Sequence, residues 1–559
     1  MIKKYYLKLT TYLAQKSWLR LALFITTCSL PILVLCAPYV VRGDNVLLFD
    51  WDYFAQMYEA FRIAVLKYHQ FPWFNPWVAG GVPLYANPQF GLVSIQSILV
   101  LLFGTLYGLR LAIFAYLLVG FWGVYCLLRH FDSSIKRSIL LGYVFIMGGF
   151  GIYHLTGGHL TFAVYYLIPW VLFSFVRMLS SGKWLTFALL VSFCIQSSTH
   201  YSMMQFLVLL GILWVLALLY KPFKLSRRRL AIDTLKSGLL VLLISAPKLY
   251  FSMQYLKDYP RVGNDHFWVN IKTIFLSFII PPSTDFHKMP AGLHYSWGEY
   301  SAYAGIFVII TLVTVSFIIY KNKKLLTPVL IGIISVAFIS FLFALGDFGI
   351  FSPFHWLLKL PVFRSMIAPA RWLGWVFMSI ILFIGIIRLN KRQDMIISAL
   401  LSLAVLEIGF FTFLYIGYMN PNIKYSDTTP ISNYFEQYDD FQATGSMRYL
   451  QTTRANLGEI RGYEAILSYD LYRPTNRCGI NNGCEFILTG NARVEYWSPN
   501  KILLTRTGYG PIKININPGS YWVVNGKRIF ENMKVVDLNK DFVIDDSSDR
   551  LELVVSPDL

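Results

Sequence analysis

From about residue 19 to residue 418, long apolar runs alternate with short polar breaks, and a tail of mixed polar and apolar residues follows. A helix needs about 20 apolar residues to cross the hydrocarbon core. On that measure, spans are predicted at roughly 19–41, 106–128, 137–154, 160–178, 184–198, 201–220, 235–254, 301–320, 326–345, 370–388 and 396–418, about eleven in all. The runs between 137 and 220 are short and close together, so the count there is open by one or two. Between spans, Tyr53 to Tyr68 has helical spacing of apolar residues and predicts a juxtamembrane helix. Phe351-Ser-Pro-Phe-His-Trp predicts a short helix lying on the membrane surface. The tail changes period. Val494-Glu-Tyr-Trp, Lys501-Ile-Leu-Leu-Thr, Lys513-Ile-Asn-Ile, Tyr521-Trp-Val-Val and Leu551-Glu-Leu-Val-Val are short β-type runs. Asn517-Pro-Gly and Val524-Asn-Gly-Lys separate them as turns, and a small β-sandwich is the simplest architecture.

Composition supports lipid as the solvent. The chain has 559 residues, 56% hydrophobic and 14% charged, with a mean hydropathy of +0.52. A soluble domain carries about 25% charged residues. Residues 1–419 hold 34 Lys and Arg against 13 Asp and Glu, whereas residues 420–559 hold 15 against 17. The basic excess thus belongs to the membrane part, and the tail lacks the basic face of a nucleic-acid binder.

Lys and Arg favour cytoplasmic loops. The basic clusters are the N-terminus, Arg129 with Lys136 and Arg137, Arg177 with Lys183, Lys221 to Lys236, Lys321 to Lys324, and Arg388 to Arg392. Eleven spans with the N-terminus inside put every cluster on the cytoplasmic side and the tail outside. Three outer segments then result, at about 42–105, 254–300 and 346–369. Lys3, Lys4, Lys8, Lys16 and Arg20 precede a first apolar run too long for a signal h-region, which reads as a retained span. Cys28, Cys36, Cys126 and Cys194 lie in apolar runs and read as small hydrophobes. Cys478 and Cys484 lie in a polar stretch with no second Cys or His pair nearby, so a local disulfide in an oxidising compartment fits better than a metal site.

Candidate chemistry concentrates in the first outer loop. Asp50 and Asp52 form an Asp-X-Asp pair at the membrane surface, with Asp44 and Glu59 close in sequence. Such carboxylates serve as a general base for a hydroxyl, hold a divalent cation (Mg or Mn) against a phosphate, or form an ordinary solvated loop.

Several motifs recur in order along the chain. Asp50-Trp-Asp, Phe71-Pro-Trp-Phe-Asn-Pro-Trp and Gly80-Gly-Val-Pro-Leu-Tyr-Ala-Asn-Pro-Gln come first, then Gly157-Gly-His-Leu with Ile168-Pro-Trp. Glu299-Tyr-Ser-Ala-Tyr-Ala-Gly, Pro361-Val-Phe-Arg-Ser-Met-Ile-Ala-Pro-Ala-Arg-Trp, Glu407, Asn420-Pro and Pro518-Gly-Ser-Tyr-Trp-Val-Val-Asn-Gly-Lys follow. In this the chain resembles the YfhO-like bacterial membrane proteins, which belong with the GT-C superfamily of glycosyltransferases. That family commonly has Gly-Asp where Phe49-Asp50 aligns, and a literal Gly-Asp stands at Gly43-Asp44, which keeps Asp44 as an alternative.

The resemblance implies a GT-C-like transmembrane domain over residues 1–419 and an extracytoplasmic, mainly β domain over 420–559. It implies an inner-membrane enzyme that moves one sugar, with inversion, from a polyprenyl-phosphate donor to an envelope glycan or glycolipid. Asp50 would be the base and Asp52 its assistant or a metal ligand. Arg364, Arg371, His159, Glu299, Trp73 and Asn75 would line the substrate site, with His200 near another outer end. Each has a plainer role to set beside this: snorkelling for the arginines, bundle hydrogen bonds for the histidines, a helix cap for Glu299, and interfacial anchoring for Trp73 and Trp77. For Glu407 and Lys248, in mid-span, a structural hydrogen bond competes with function. A transporter or lipid flippase is the runner-up, although no internal repeat of the kind transporters show is evident. A non-catalytic glycan- or protein-binding scaffold is the third reading.

Overall fold

The computed structural model describes residues 17–43, 45–199, 201–220, 226–258, 267–283, 288, 293–360, 363, 366, 368–426, 435–438, 447–459, 486–517, 519, 521–528 and 542–556. The expectations for Asp44, His200, Arg364, Cys478 and Cys484 lie outside these residues.

Helices occupy all eleven predicted places. Seven are long and apolar enough to cross a membrane: Trp18–Val41, Thr105–His130, Leu160–Ser181, Ser202–Leu219, Arg227–Lys257, Pro369–Ile386 and Lys391–Met419. An eighth would be Ile135–Met147 with Gly149–Thr156, a pair bent by 41°. Trp184–Ser197, Ile306–Lys321 and Pro328–Ala344 are shorter apolar helices. The chain is therefore a polytopic helical membrane protein with a C-terminal β region.

The bend at Gly148 frees backbone groups that lipid cannot satisfy. Neighbouring segments satisfy them: Thr412 Oγ1 donates to Met147 O at 2.8 Å, and Gly149 N donates to Tyr303 O at 2.9 Å. The second half-helix, Gly149–Thr156, ends in a turn at residues 157–159 that leads into the 3₁₀ segment Leu160–Leu167. Nearly all of this stretch is buried, so a polar turn is held inside the bundle.

The loops bearing several basic clusters lie together. Arg137 pairs with Asp394 at 3.4 Å and donates to Ile387 O, and Arg388 pairs with Asp132 at 3.7 Å. Elsewhere, the buried Arg110 fastens the first long loop to the exit of Lys391–Met419. Its guanidinium donates to Asn45 O and Asn420 Oδ1, both at 2.6 Å. Glu407 accepts from Ile306 N, Phe307 N and the Tyr303 hydroxyl, capping the helix Ile306–Lys321. Lys248 Nζ donates to the carbonyls of Tyr85 and Asn87. Both mid-span charges are thus satisfied inside the protein. Cys28, Cys36, Cys126 and Cys194 are free thiols.

The first long loop forms the helix Trp51–Leu66, then a short hairpin pairing Phe74–Asn75 with Val82–Pro83. The short surface helix is Pro353–Leu358, capped by Ser352. In the tail, an antiparallel sheet runs in the order Lys527–Arg528, Trp522–Val524, Arg550–Val555, Lys501–Arg506 and Ala492–Ser498. A second sheet orders Phe542–Ile544, Ile512–Ile514 and Ile487–Thr489. Trp522 and Phe542 meet across the two sheets, with ring centroids 5.8 Å apart. Asn525 and Gly526 both have positive φ, as the two-residue hairpin turn between Val524 and Lys527 requires.

This β region grips the first loop. Asn517 Nδ2 donates to Ala79 O and Gly81 O, Asn500 Nδ2 to Phe71 O, and Trp77 Nε1 to Asn456 Oδ1.

Candidate functional site

Four segments distant in sequence bring charged side chains to one corner. Asp50 stands at the start of the helix Trp51–Leu66, His159 in the turn after the half-helix, Glu299 in the short helix Trp297–Tyr300, and Arg371 at the head of Pro369–Ile386. Sequence and local geometry explain how each arrives. Phe49 has φ of 59°, a left-handed conformation costly for an aromatic residue, and it turns the chain so that Asp50 begins the helix. The corner is then strapped to the turn. Asp50 N donates to Gly157 O at 3.3 Å and Trp51 Nε1 to Thr156 O at 3.0 Å.

Gly158 makes that approach possible. Its φ is +90°, and a Cβ there would lie 2.3 Å from Trp51 N. Gly158→Ala is accordingly expected to push the Asp50 corner off the turn and separate Asp50 from His159. The expected readout is a lowered thermal midpoint in protein that still elutes as a folded species. Gly298 serves Glu299 in the same way, because a Cβ there would lie 1.8 Å from the Tyr153 ring.

The contacts at the corner are short. His159 Nε2 lies 3.2 Å from Asp50 Oδ2. A carboxylate only accepts, so Nε2 carries the proton. The other ring nitrogen, Nδ1, lies 2.8 Å from His154 Nδ1 and 3.9 Å from Glu299 Oε1. Arg371 grips Glu299 with two parallel bonds, Nε to Oε2 and Nη2 to Oε1, each 2.9 Å. Its guanidinium also sits 5.1 Å from the Phe162 ring centroid, and Phe162 stacks on His154 at 4.0 Å.

Two ionisation states follow. Burial opposes charge on His159, but the hydrogen bond and charge of Asp50, with Glu299, outweigh it and raise its pKa. Burial by itself would raise Glu299, yet Arg371 and the histidines hold it well below the carboxylate range. The Asp50 side chain remains 36% exposed, and its Oδ1 makes no hydrogen bond among the described residues. The corner thus offers one open carboxylate oxygen beside a fixed imidazole, a carboxylate and a guanidinium.

The sequence-predicted residues divide sharply. Asp50, His159, Glu299 and Arg371 come together. Asp52 has a different partner: Oδ2 accepts from Tyr449 N and Oδ1 from Leu450 N, both at 3.0 Å, at the start of the helix Arg448–Arg454. Burial pushes its carboxyl up to about 6, against the opposing pull of those two amides and Arg448. Folding therefore takes up a proton at Asp52 between about pH 4 and pH 6, and stability falls as pH rises through that window. Asp52→Asn, which keeps an acceptor, is expected to flatten that dependence in thermal melts. Asp52→Ala is expected to cost about 1–3 kcal/mol by leaving two amides unpaired, and to speed proteolysis after residue 447.

Glu59 is buried and paired with Arg62 and Arg454, and accepts from the Thr105 hydroxyl. Asn75 exchanges two amide hydrogen bonds with Gln56. Trp73 packs with Phe71, Tyr85 and Phe251. These three residues hold the loop together. His154 is the residue that sequence reading missed. Its signal was a second histidine five positions before His159, in an otherwise apolar half-helix.

No protein-family model matches the chain, and no curated protein matches it. Among solved structures, a similar backbone belongs to the arabinofuranosyltransferase AftD from Mycobacteria, seen by single-particle cryo-EM. Identity is 13% and the TM-score 0.45, over 71% of this chain but 27% of that one. A likeness at this level carries no functional argument, so the functional reading rests on the corner itself.

Proposed function

We propose that the protein is a GT-C-type membrane glycosyltransferase that moves a single sugar from a polyprenyl-phosphate donor to a glycan or lipid acceptor. The observation that carries this reading is the open oxygen of Asp50, backed by His159 and placed beside the Arg371–Glu299 pair. The ordered motifs that resemble those of the YfhO-like proteins, which include the corner residues, support the same reading.

In this reading Asp50 Oδ1 takes the proton of the acceptor hydroxyl while His159 steadies Oδ2. The acceptor oxygen attacks the anomeric carbon from the face opposite the phosphate. The bond from that carbon to the phosphate oxygen breaks, polyprenyl phosphate leaves, and configuration inverts. Negative charge grows on the leaving phosphate, where the guanidinium of Arg371 and a divalent cation would help. In this reading the corner faces the extracytoplasmic side, because Lys and Arg favour the loops on the other side. The β region, also outside, holds the first loop in shape.

The test is donor consumption. Wild-type protein in nanodiscs, given polyprenyl-phosphate sugar and an envelope lipid extract, is expected to release polyprenyl phosphate and to label the acceptor. Substrate flux across proteoliposomes with the donor intact would instead establish the transporter reading.

A further inference from the structure

We infer that His154, His159 and Glu299 form a binding site for a transition-metal ion of the zinc class. One ligand atom from each lies within 4.8 Å of the other two. Two nitrogens and one carboxylate oxygen are a three-ligand set of the kind that leaves a fourth position open on zinc.

Two further observations point to a ligand rather than to a packed cluster. His159 Nε2 is committed to Asp50, so only Nδ1 can face inward, and it meets His154 Nδ1 at 2.8 Å. Two imidazole lone pairs at that distance repel, so a proton or a cation has to lie between them. A ligating histidine commonly donates its other N–H to a carboxylate, and Asp50 fills that place for His159. His154 is fully buried, and its Nε2 has no hydrogen-bond partner among the described residues. A metal ion would take the place of that proton and use both Nδ1 lone pairs.

The donor set also selects the ion. Magnesium, calcium and manganese prefer oxygen ligands, whereas imidazole suits zinc and its late first-row neighbours better. With zinc–nitrogen bonds of about 2.0–2.1 Å, tetrahedral partners sit roughly 3.4 Å apart. Binding would thus part the two ring nitrogens by about 0.6 Å. Arg371 remains on Glu299, because a carboxylate oxygen can accept a hydrogen bond and ligate at once. Asp52 takes no part, since both its oxygens are held by backbone amides.

This inference goes beyond glycosyl transfer and is read without turnover. Full-length protein in nanodiscs, stripped with chelator, is titrated with cobalt(II) and followed by visible absorption. One cobalt per chain with ligand-field bands is expected, displaced by equimolar zinc and not by millimolar magnesium. His154→Phe keeps a ring on Phe162 while removing the ligand, and is expected to abolish the bands. Asp50→Asn is expected to weaken binding about 10–100-fold. Absence of the bands in wild type, or their persistence in His154→Phe, would overturn the site and leave a bare histidine–histidine hydrogen bond. Donor consumption in the same wild-type preparation decides the enzymatic reading separately.

Discussion

Asp50→Asn is expected to slow sugar transfer by roughly 10²–10⁴-fold, the usual worth of a general base. Asn has the same shape, and its amide oxygen still accepts from His159 Nε2, so the corner should keep its fold. The loss should fall on kcat, because a base contributes to the transition state and little to ground-state binding. A thermal midpoint near that of wild type, with transfer nearly gone, is the expected pair of results. Transfer within threefold of wild type would remove Asp50 from the base role and leave it as the support of His159.

Arg371→Met is expected to be the most destabilising substitution at the corner. Glu299 and Arg371 are each 12% exposed and share two 2.9 Å hydrogen bonds. Removing one partner of a buried pair leaves an uncompensated charge and costs about 3–5 kcal/mol. Burial alone would raise the Glu299 carboxyl, and Arg371 is the main group that holds it down, so the variant buries either an unpaired carboxylate or a carboxyl that must take up a proton. The same depression means the pair stabilises the protein above about pH 4.5 and gives way only as pH falls through the lowered value. Adding Glu299→Gln to Arg371→Met should restore most of the stability. A double-mutant cycle on purified protein measures the coupling, and additive effects would show that the pair is not coupled.

What the sequence could and could not reveal follows from the range of the forces involved. Hydropathy is local, so all eleven helical segments were legible, including the short Trp184–Ser197. Strand runs and the Asn525-Gly526 turn were legible for the same reason. The corner was legible as separate residues: Asp50, His159, Glu299 and Arg371 each stood near an outer span end. Their assembly was not, because it depends on the left-handed Phe49 and on the close approaches at Gly158 and Gly298. Asp52 shows the limit most plainly. Asp-X-Asp invites a paired role, yet the partners of Asp52 lie 397 and 398 positions away and are backbone amides. No side-chain pattern announces such a partner. Glu407 and Lys248 were ambiguous for a similar reason, since their bonds go to main-chain groups of distant segments.

The grip of the β region on the first loop sets an order of events during synthesis. The loop carrying Asp50 and Asp52 is made early. The amides of Tyr449 and Leu450 are made 397 and 398 residues later. At about 5–20 residues per second, that is a wait of roughly 20–80 s. During this interval the loop stands without its clasp. The finished tail is therefore a timer as well as a brace: the corner reaches its working shape only when nearly the whole chain has been translated.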